Sequence, residues 1–436
     1  MHRHGEHHSA TAIQHMIQHQ SDVNRQRLLQ RFLSYVQVDT TAVAGLQQYP
    51  SSAGQIDLGK QLCQELRDAG IPNVTQDEHG IVLATMPANV DHATPMIAFN
   101  SHLDTSPETT GKNVRPQVIE KYQGGPIVLP GDKSRVISVD ENPELNDLHG
   151  CSLITTDGTT LLGGDDKAGI AEIMEAATYL IEHPEIKHGP IRLLFTCDEE
   201  IGHGIDYVDV AGLGASACYT LDGGGAGSID VETFSADLAT IRFEGINIHP
   251  SIAKGRMVNA VRAVGEFLTR LPRDRMAPES TAGRDGFIHP YDIQGGVANT
   301  SLQLILRDFD VDGLTTQAQL LRDTAEDVQR ELDGIKISVE TTKQYRNMRG
   351  GLSQEPRAVE FAEEAHRRLG YPCQKTIVRG GTDGSQLTEK GLPTPNLSSG
   401  QHNPHSPLEW ACLDEMVQAV DVLVQLAQIW GEEQPA

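Results

Sequence analysis

The chain has 436 residues, 38% hydrophobic and 22% charged, and its 35 Lys plus Arg against 60 Asp plus Glu leave a net charge of −25. That length predicts about two or three domains with ample core material. So acidic a balance argues against a nucleic-acid or anionic-membrane partner, favours solubility and helps concentrate divalent cations.

The six cysteines (Cys63, Cys151, Cys197, Cys218, Cys373, Cys412) are scattered without a C-x-x-C pair. This disfavours a zinc ribbon or a disulfide framework and suits reduced thiols in a cytoplasm. The sequence has no apolar run of membrane-spanning length and no secretory-type apolar stretch at its start.

Residues 1–23 hold His2, His4, His7, His8, His15 and His19, six of the eighteen histidines. Such a tract reads as a mobile N-terminal extension, metal binding being its compositional alternative. A helix follows over 24–36, with Leu28, Leu29, Phe32, Leu33 and Val36 on one face. A second spans 55–69, stopped by Gly70-Ile71-Pro72. Strands are expected at 81–86 and 96–100. From Asp165 the spacing of Ile170, Ile173, Met174, Ala177, Leu180 and Ile181 is helical, with Asp165 or Asp166 as its cap. Apolar runs at 191–196 and 217–221 are further strands. Strand, helix, strand with polar residues at strand ends is the grammar of an open α/β sheet, which binds ligands beyond the carboxyl ends of its strands.

The texture changes near Gly227. Strand patterns at 235–248, 296–308 and 335–341 alternate with helical ones at 258–271 and 315–332, suggesting an inserted β-α-β-β-α-β unit. The chain then returns through a helix at 356–369, a glycine-rich turn at 379–384 and a last helix at about 414–430.

Five short segments carry the chemistry: Ser101–Thr105, Gly163–Lys167, Cys197–Gly202, Leu221–Gly224 and His405–Glu409. Each directly follows a probable strand, and together they supply two histidines and several carboxylates. Imidazole plus carboxylate without thiolate suits zinc, cobalt or manganese. Each segment alone has an ordinary explanation: incidental His-x-Asp, helix-start acids, an exposed glutamate pair, a turn, a solvated loop histidine. Yet two adjacent carboxylates after a buried strand repel each other, and a metal beside one relieves that cost and leaves the other to take a proton. The combination reads as a two-metal hydrolase site.

The stretches at 101–117 (SHLDTSPETTGKNVRPQ), 153–174 (LITTDGTTLLGGDDKAGIAEIM) and 379–387 (RGGTDGSQL) carry a resemblance. With the shared metal motifs, they make the chain similar, from about Leu28 onward, to the peptidase T family. These are tripeptide aminopeptidases among the zinc exopeptidases related to carboxypeptidase G and succinyl-diaminopimelate desuccinylase. The resemblance implies a mixed-sheet α/β catalytic domain at 24–232 and 348–436, with an inserted α+β lid/dimerisation domain at 233–347. It implies two Zn2+ per subunit, Co2+ or Mn2+ suiting the same ligand types. His102 and Asp222 would hold one ion, Glu200 and His405 the other, with Asp165 bridging. Glu199 would be the general base, Asp104 would orient His102, and Asp165–Asp166 would be a cis peptide. His249 in the lid would help stabilise the oxyanion, while Asn259 and Arg379 would hold the substrate's carboxylate end. Short peptides, chiefly tripeptides, are the implied substrates, and a homodimer through the lid domain is the implied assembly.

The residues depart from the family in a longer start, in Cys197 where proline is usual, and in the interior of His405–Glu409. A dipeptidase or N-acyl-amino-acid deacylase on the same scaffold is the nearest alternative. A non-catalytic binding protein conflicts with an intact Glu199. An oxidoreductase lacks the G-x-G-x-x-G spacing.

Overall fold

The computed structural model describes residues 21–434. The tail histidines, all within residues 1–20, lie outside the described residues. Ser21–Val23, at the end of the expected extension, are seated: Ser21 Oγ donates to Asp421 at 2.9 Å and Val23 is buried.

The chain divides into two compact units. The first comprises the chain up to Val231, Gly350–Thr376 and the chain from Thr382 onward. Its frame is a mixed sheet of 11 strands. At its centre Ile191–Thr196, Ile97–His102, Ala217–Gly224 and Asn396–His402 run parallel, each beside the next. All six residues of Ile97–His102 are buried, as a strand covered on both faces requires. Alternation sorts their side chains. Ile97, Phe99, Leu193, Phe195 and Tyr219 join the main core, which also takes in helices Gly164–Glu182 and Leu413–Glu432. Ala98, Leu194 and Cys218 face a smaller core with Ile205, Leu213, Leu387 and Leu392. A satellite core of Tyr122, Leu129, Ile137, Leu145, Leu153 and Trp410 lies under the 106–152 excursion.

The second unit is Glu232–Arg349 together with Ile377–Gly381. Its four-stranded antiparallel sheet runs in the order Phe287–Gly295, Asn299–Asp308, Ser235–Glu244, Lys336–Tyr345. Helices Ala260–Arg270 and Val311–Glu331 bury one face of it through Phe267, Leu314, Leu321 and Val328 against Ile241, Phe243, Leu302 and Leu304. The strand Phe287–Gly295 supplies the fourth strand that the β-α-β-β-α-β order demands but the sequence pattern does not locate. The segment Ile377–Gly381 falls outside the 233–347 expected from sequence. It joins this unit because Phe234 N donates to the carbonyls of Val378 and Gly380.

One local expectation is corrected. The helix Gly164–Glu182 is capped by Gly163, without a side-chain cap, and Asp165 and Asp166 have non-helical backbone angles. Their carboxylates serve other partners, given below. The six cysteines are all free, five of them buried. Among the described residues no helix is long and apolar enough to cross a membrane.

Candidate active site

Because the four central strands are parallel and adjacent, their carboxyl ends deliver side chains to one edge. His102 ends its own strand and pairs in register with Thr196, two residues before Asp198. Asp222 lies in the third strand, and Gln401 near the end of the fourth, beside Gly224. His405 follows from the fourth strand, and Asp165 enters from the opening turn of the helix Gly164–Glu182.

These side chains converge. His102 Nε2 is 3.0 Å from Asp165 Oδ1, and His405 Nε2 is 3.2 Å from Asp165 Oδ2 and 2.9 Å from Glu200 Oε2. Two sets of donor atoms, His102–Asp165–Asp222 and Asp165–Glu200–His405, each lie within 4.8 Å of one another and share Asp165. Glu199 Oε2 is 4.0 Å from His102 Nε2 and is in neither set. The Asp165–Asp166 peptide is cis, as the resemblance implies.

The electrostatics fit a pair of dications. Burial, then the neighbouring Asp165 carboxylate, pushes Asp222 well above the usual carboxylate range and Glu200 up to about 7. Burial likewise pushes Glu199 well up, with the Asp222, Asp383 and Glu200 charges adding to it. Burial would also raise Asp165, but hydrogen bonds from His102 and His405 outweigh it and hold that carboxyl low. Burial opposes charge on His405, yet Asp165 and Glu200 push it up to about 11. Glu200 Oε1 is buried with no hydrogen-bond partner. Crowded, desolvated carboxylates around two imidazoles are costly as they stand, and they are the donor chemistry that zinc, cobalt or manganese takes.

The support around this cluster is largely hydrogen-bonded carboxylate. Asp104 contributes more than an orienting group for His102. Its carbonyl is 3.1 Å from His102 Nδ1 and its carboxylate 3.4 Å away, while that carboxylate accepts the amides of Glu199 and Glu200, both at 3.0 Å. Asp166 Oδ2 accepts Ser101 Oγ at 2.5 Å and His102 N at 3.1 Å. Gln401 Nε2 donates to Asp222 Oδ1 at 3.2 Å.

Three supports escape sequence reasoning. Asp198 sits at φ 61°, an uncommon angle for a non-glycine residue. It is held there by Ser51 N at 2.6 Å, Ser51 Oγ at 2.5 Å and Gln55 Nε2 at 2.6 Å. Glu108 Oε2 is 3.3 Å from His405 Nδ1. Glu409 binds backbone amides of the Asp165 turn. The His-x-x-x-Glu spacing is the one sequence signal pointing at any of them.

The three residues expected to contact substrate lie in the second unit and make local contacts there. His249 caps a short 3-10 turn, accepting from Ser251 N, and is exposed. Asn259 caps the helix Ala260–Arg270 by accepting from Val261 and Arg262. Arg379 donates to the carbonyls of Gly283 and Asp285, both at 2.8 Å, and to Thr281 Oγ1 at 2.9 Å, with its guanidinium over Phe234 and Phe287. A further donor group, Cys151, Cys412 and Asp414, stands apart from the cluster, and Asp414 Oδ2 is taken by Arg25 and Ser152 N.

Comparison with known proteins gives the family. The profile of peptidase family M20/M25/M40 matches residues 155–429. Peptidase T of Geobacillus thermodenitrificans strain NG80-2 is 46% identical over 409 residues, covering 94% of this chain and 99% of that protein. The crystal structure of aminopeptidase PepT from Bacillus cereus ATCC 10987 superposes with a TM-score of 0.72 at 23% identity, over 94% of this chain and all of that one. A dinuclear metal-binding peptidase of the M20 family from Bacillus subtilis superposes with a TM-score of 0.62 at 17% identity, over 93% and 98%. The chain therefore belongs to peptidase family M20 and, within it, to the peptidase T group.

Proposed function

We propose that the chain is a dizinc aminopeptidase that removes the N-terminal residue of tripeptides. The observation that carries this reading is the pair of donor sets joined through Asp165, with Glu199 beside them and in neither set. Held by His102, Asp165 and Asp222 and by Asp165, Glu200 and His405, two zinc ions would supply Lewis acidity toward the scissile carbonyl and lower the pKa of the attacking water. Glu199 takes the proton from that water and returns it to the leaving amine. Burial raises its carboxyl above the usual range, the direction that favours taking up a proton. Asp104, bonded to the amides of both Glu199 and Glu200, keeps base and ligand in a fixed relation.

His249, Asn259 and Arg379 belong to the same proposal as contacts for the developing oxyanion and the substrate's carboxylate end, as do a cytoplasmic location and a homodimer through the inserted unit. The test is an assay of the zinc-supplemented protein on a dipeptide, a tripeptide, a tetrapeptide and an N-acetylated tripeptide. We expect cleavage of the tripeptide above all and none of the acetylated one. Equal turnover of the acetylated peptide would instead make the protein a deacylase.

A further inference from the structure

We infer that Glu409 is a positioning residue that clamps the two ligand-bearing turns together, holding from the His405 turn the backbone that presents Asp165. Its side chain is 1% exposed. Glu409 Oε2 accepts the amides of Leu162 at 2.7 Å and Gly163 at 2.9 Å, and Oε1 accepts the amide of Asp165 at 3.1 Å. All three donors are main chain, and the nearby buried ammonium of Lys167 donates to the carbonyl of Val38. Such a run of amides closing on one anion is a backbone nest.

The turn is built to admit the carboxylate. Gly163 takes φ 82°, which favours glycine. A Cβ at Gly164 would lie 3.2 Å from Glu409 Oε1, tighter than an ordinary contact. On its own side the His405 turn is braced by Glu409 N to the Ser406 carbonyl at 3.1 Å and by Asn403 Nδ2 to Asn142 Oδ1 at 2.7 Å. Glu409 is followed by Trp410–Cys412, which pairs with Leu153–Thr155. The carboxylate thus ties the turn bearing one histidine to the turn bearing the acid that both histidines face. A ligand shared by two ions tolerates displacements of only about 0.5 Å before geometry suffers. Fixing its backbone is therefore a contribution to metal binding, although Glu409 touches neither set of donor atoms.

This inference rests on the reading of Asp165 as the shared ligand, and the experiment separates the two. Apo protein is titrated with zinc alone by calorimetry in the wild type, Asp165→Asn, Glu409→Gln and Glu409→Asp, and thermal unfolding is followed for the apo and zinc-loaded forms of each. We expect Glu409→Gln to bind zinc about 10- to 100-fold more weakly at one or both sites, the range for outer partners of metal ligands. The gap between its apo and loaded midpoints should shrink, and Glu409→Asp should fall between it and the wild type. A purely structural role would lower both midpoints together and leave affinity and gap unchanged; that result overturns the inference. Wild-type zinc binding by Asp165→Asn would overturn the metal reading itself.

A measurement on the wild type guards against variants that fail to fold. The amides of Leu162, Gly163 and Asp165 should exchange slowly with solvent before zinc is added. Rapid exchange in the apo protein, slowed only by zinc, would mean that the ion orders this turn and Glu409 does not.

Discussion

The two histidines of the cluster are held in different ways. His102 closes a strand in which every residue is buried, its side chain is 2% exposed, and Asp104 and Asp166 anchor its surroundings. His405 sits in a loop at φ 61°, its side chain is 35% exposed, and its neighbours are Glu108 and Thr109 from the 106–152 excursion. The main core supports the first and the satellite core the second. The strand side should therefore be stiff and insensitive to its solvent, and the loop side should respond to pH, chelation and small changes in its supports.

The sharpest division lies within the strand side. Glu199→Gln should keep both ions and lose about 10²- to 10⁴-fold in kcat, the usual contribution of a general base. Glu200→Gln should lose metal. Metal content measured beside turnover checks this, and metal loss from Glu199→Gln would exchange the two roles.

The next effect belongs to the loop side and is one of stability. His402 lies flat against Trp410, with ring centroids 3.7 Å apart. Burial opposes its charge, but Glu415 at 2.7 Å and Glu144 at 3.6 Å outweigh that and push it up to about 9. The folded value lies above the ordinary one, so the contribution is full below pH about 6.5 and is lost as pH rises through about 9. At about 1.36 kcal/mol per unit this amounts to about 3 kcal/mol. The stability difference between wild type and His402→Gln, measured at each pH, should shrink across that window. Comparing the two at each pH cancels the opposite drift of Lys167, which burial lowers to about 8. A difference constant from pH 6 to 10 would show that His402 acts by packing alone.

Chelation tests the contrast directly. The two ions should leave in sequence with affinities about tenfold apart, roughly 1.4 kcal/mol, the weaker on the His405 side. His405→Ala should then remove one ion and leave the other, as read by metal content. Simultaneous loss at one chelator concentration would erase the distinction between the sides. The smallest effect is expected at Glu108, 70% exposed and so screened by water. Glu108→Gln should weaken zinc binding only about threefold, by the scale of an exposed ion pair. A loss equal to that from His405→Ala would make Glu108 a ligand.

Sequence made the strand side legible because its chemistry travels with its structure. A run of buried residues ending in His102 or Cys197–Glu200 announces both strand and site. The helix at Arg25–Val36 was readable from one-sided apolar spacing. What pattern does not carry is partnership between distant residues. Asp198 meets Ser51 across 147 positions, and Glu409 meets Leu162 across 247. Asp165 and Asp166 look like capping acids because their true partners, His102, His405 and Ser101, lie elsewhere in the chain. The strand Phe287–Gly295 was hidden by Pro290 within it and by its exposed outer positions.

The short segment Ile377–Gly381 changes what kind of insertion the second unit is. The chain crosses between the units four times, after Val231, Arg349, Thr376 and Gly381. A twice-crossed insertion can be lifted out, transplanted or replaced by a linker as one cassette. This one cannot. Cut at Glu232 and Arg349, the piece would leave Phe234 N without the carbonyls of Val378 and Gly380, and the Gly283 and Asp285 carbonyls without Arg379. A fragment carrying the second unit alone must therefore include the 377–381 strip as well as Glu232–Arg349.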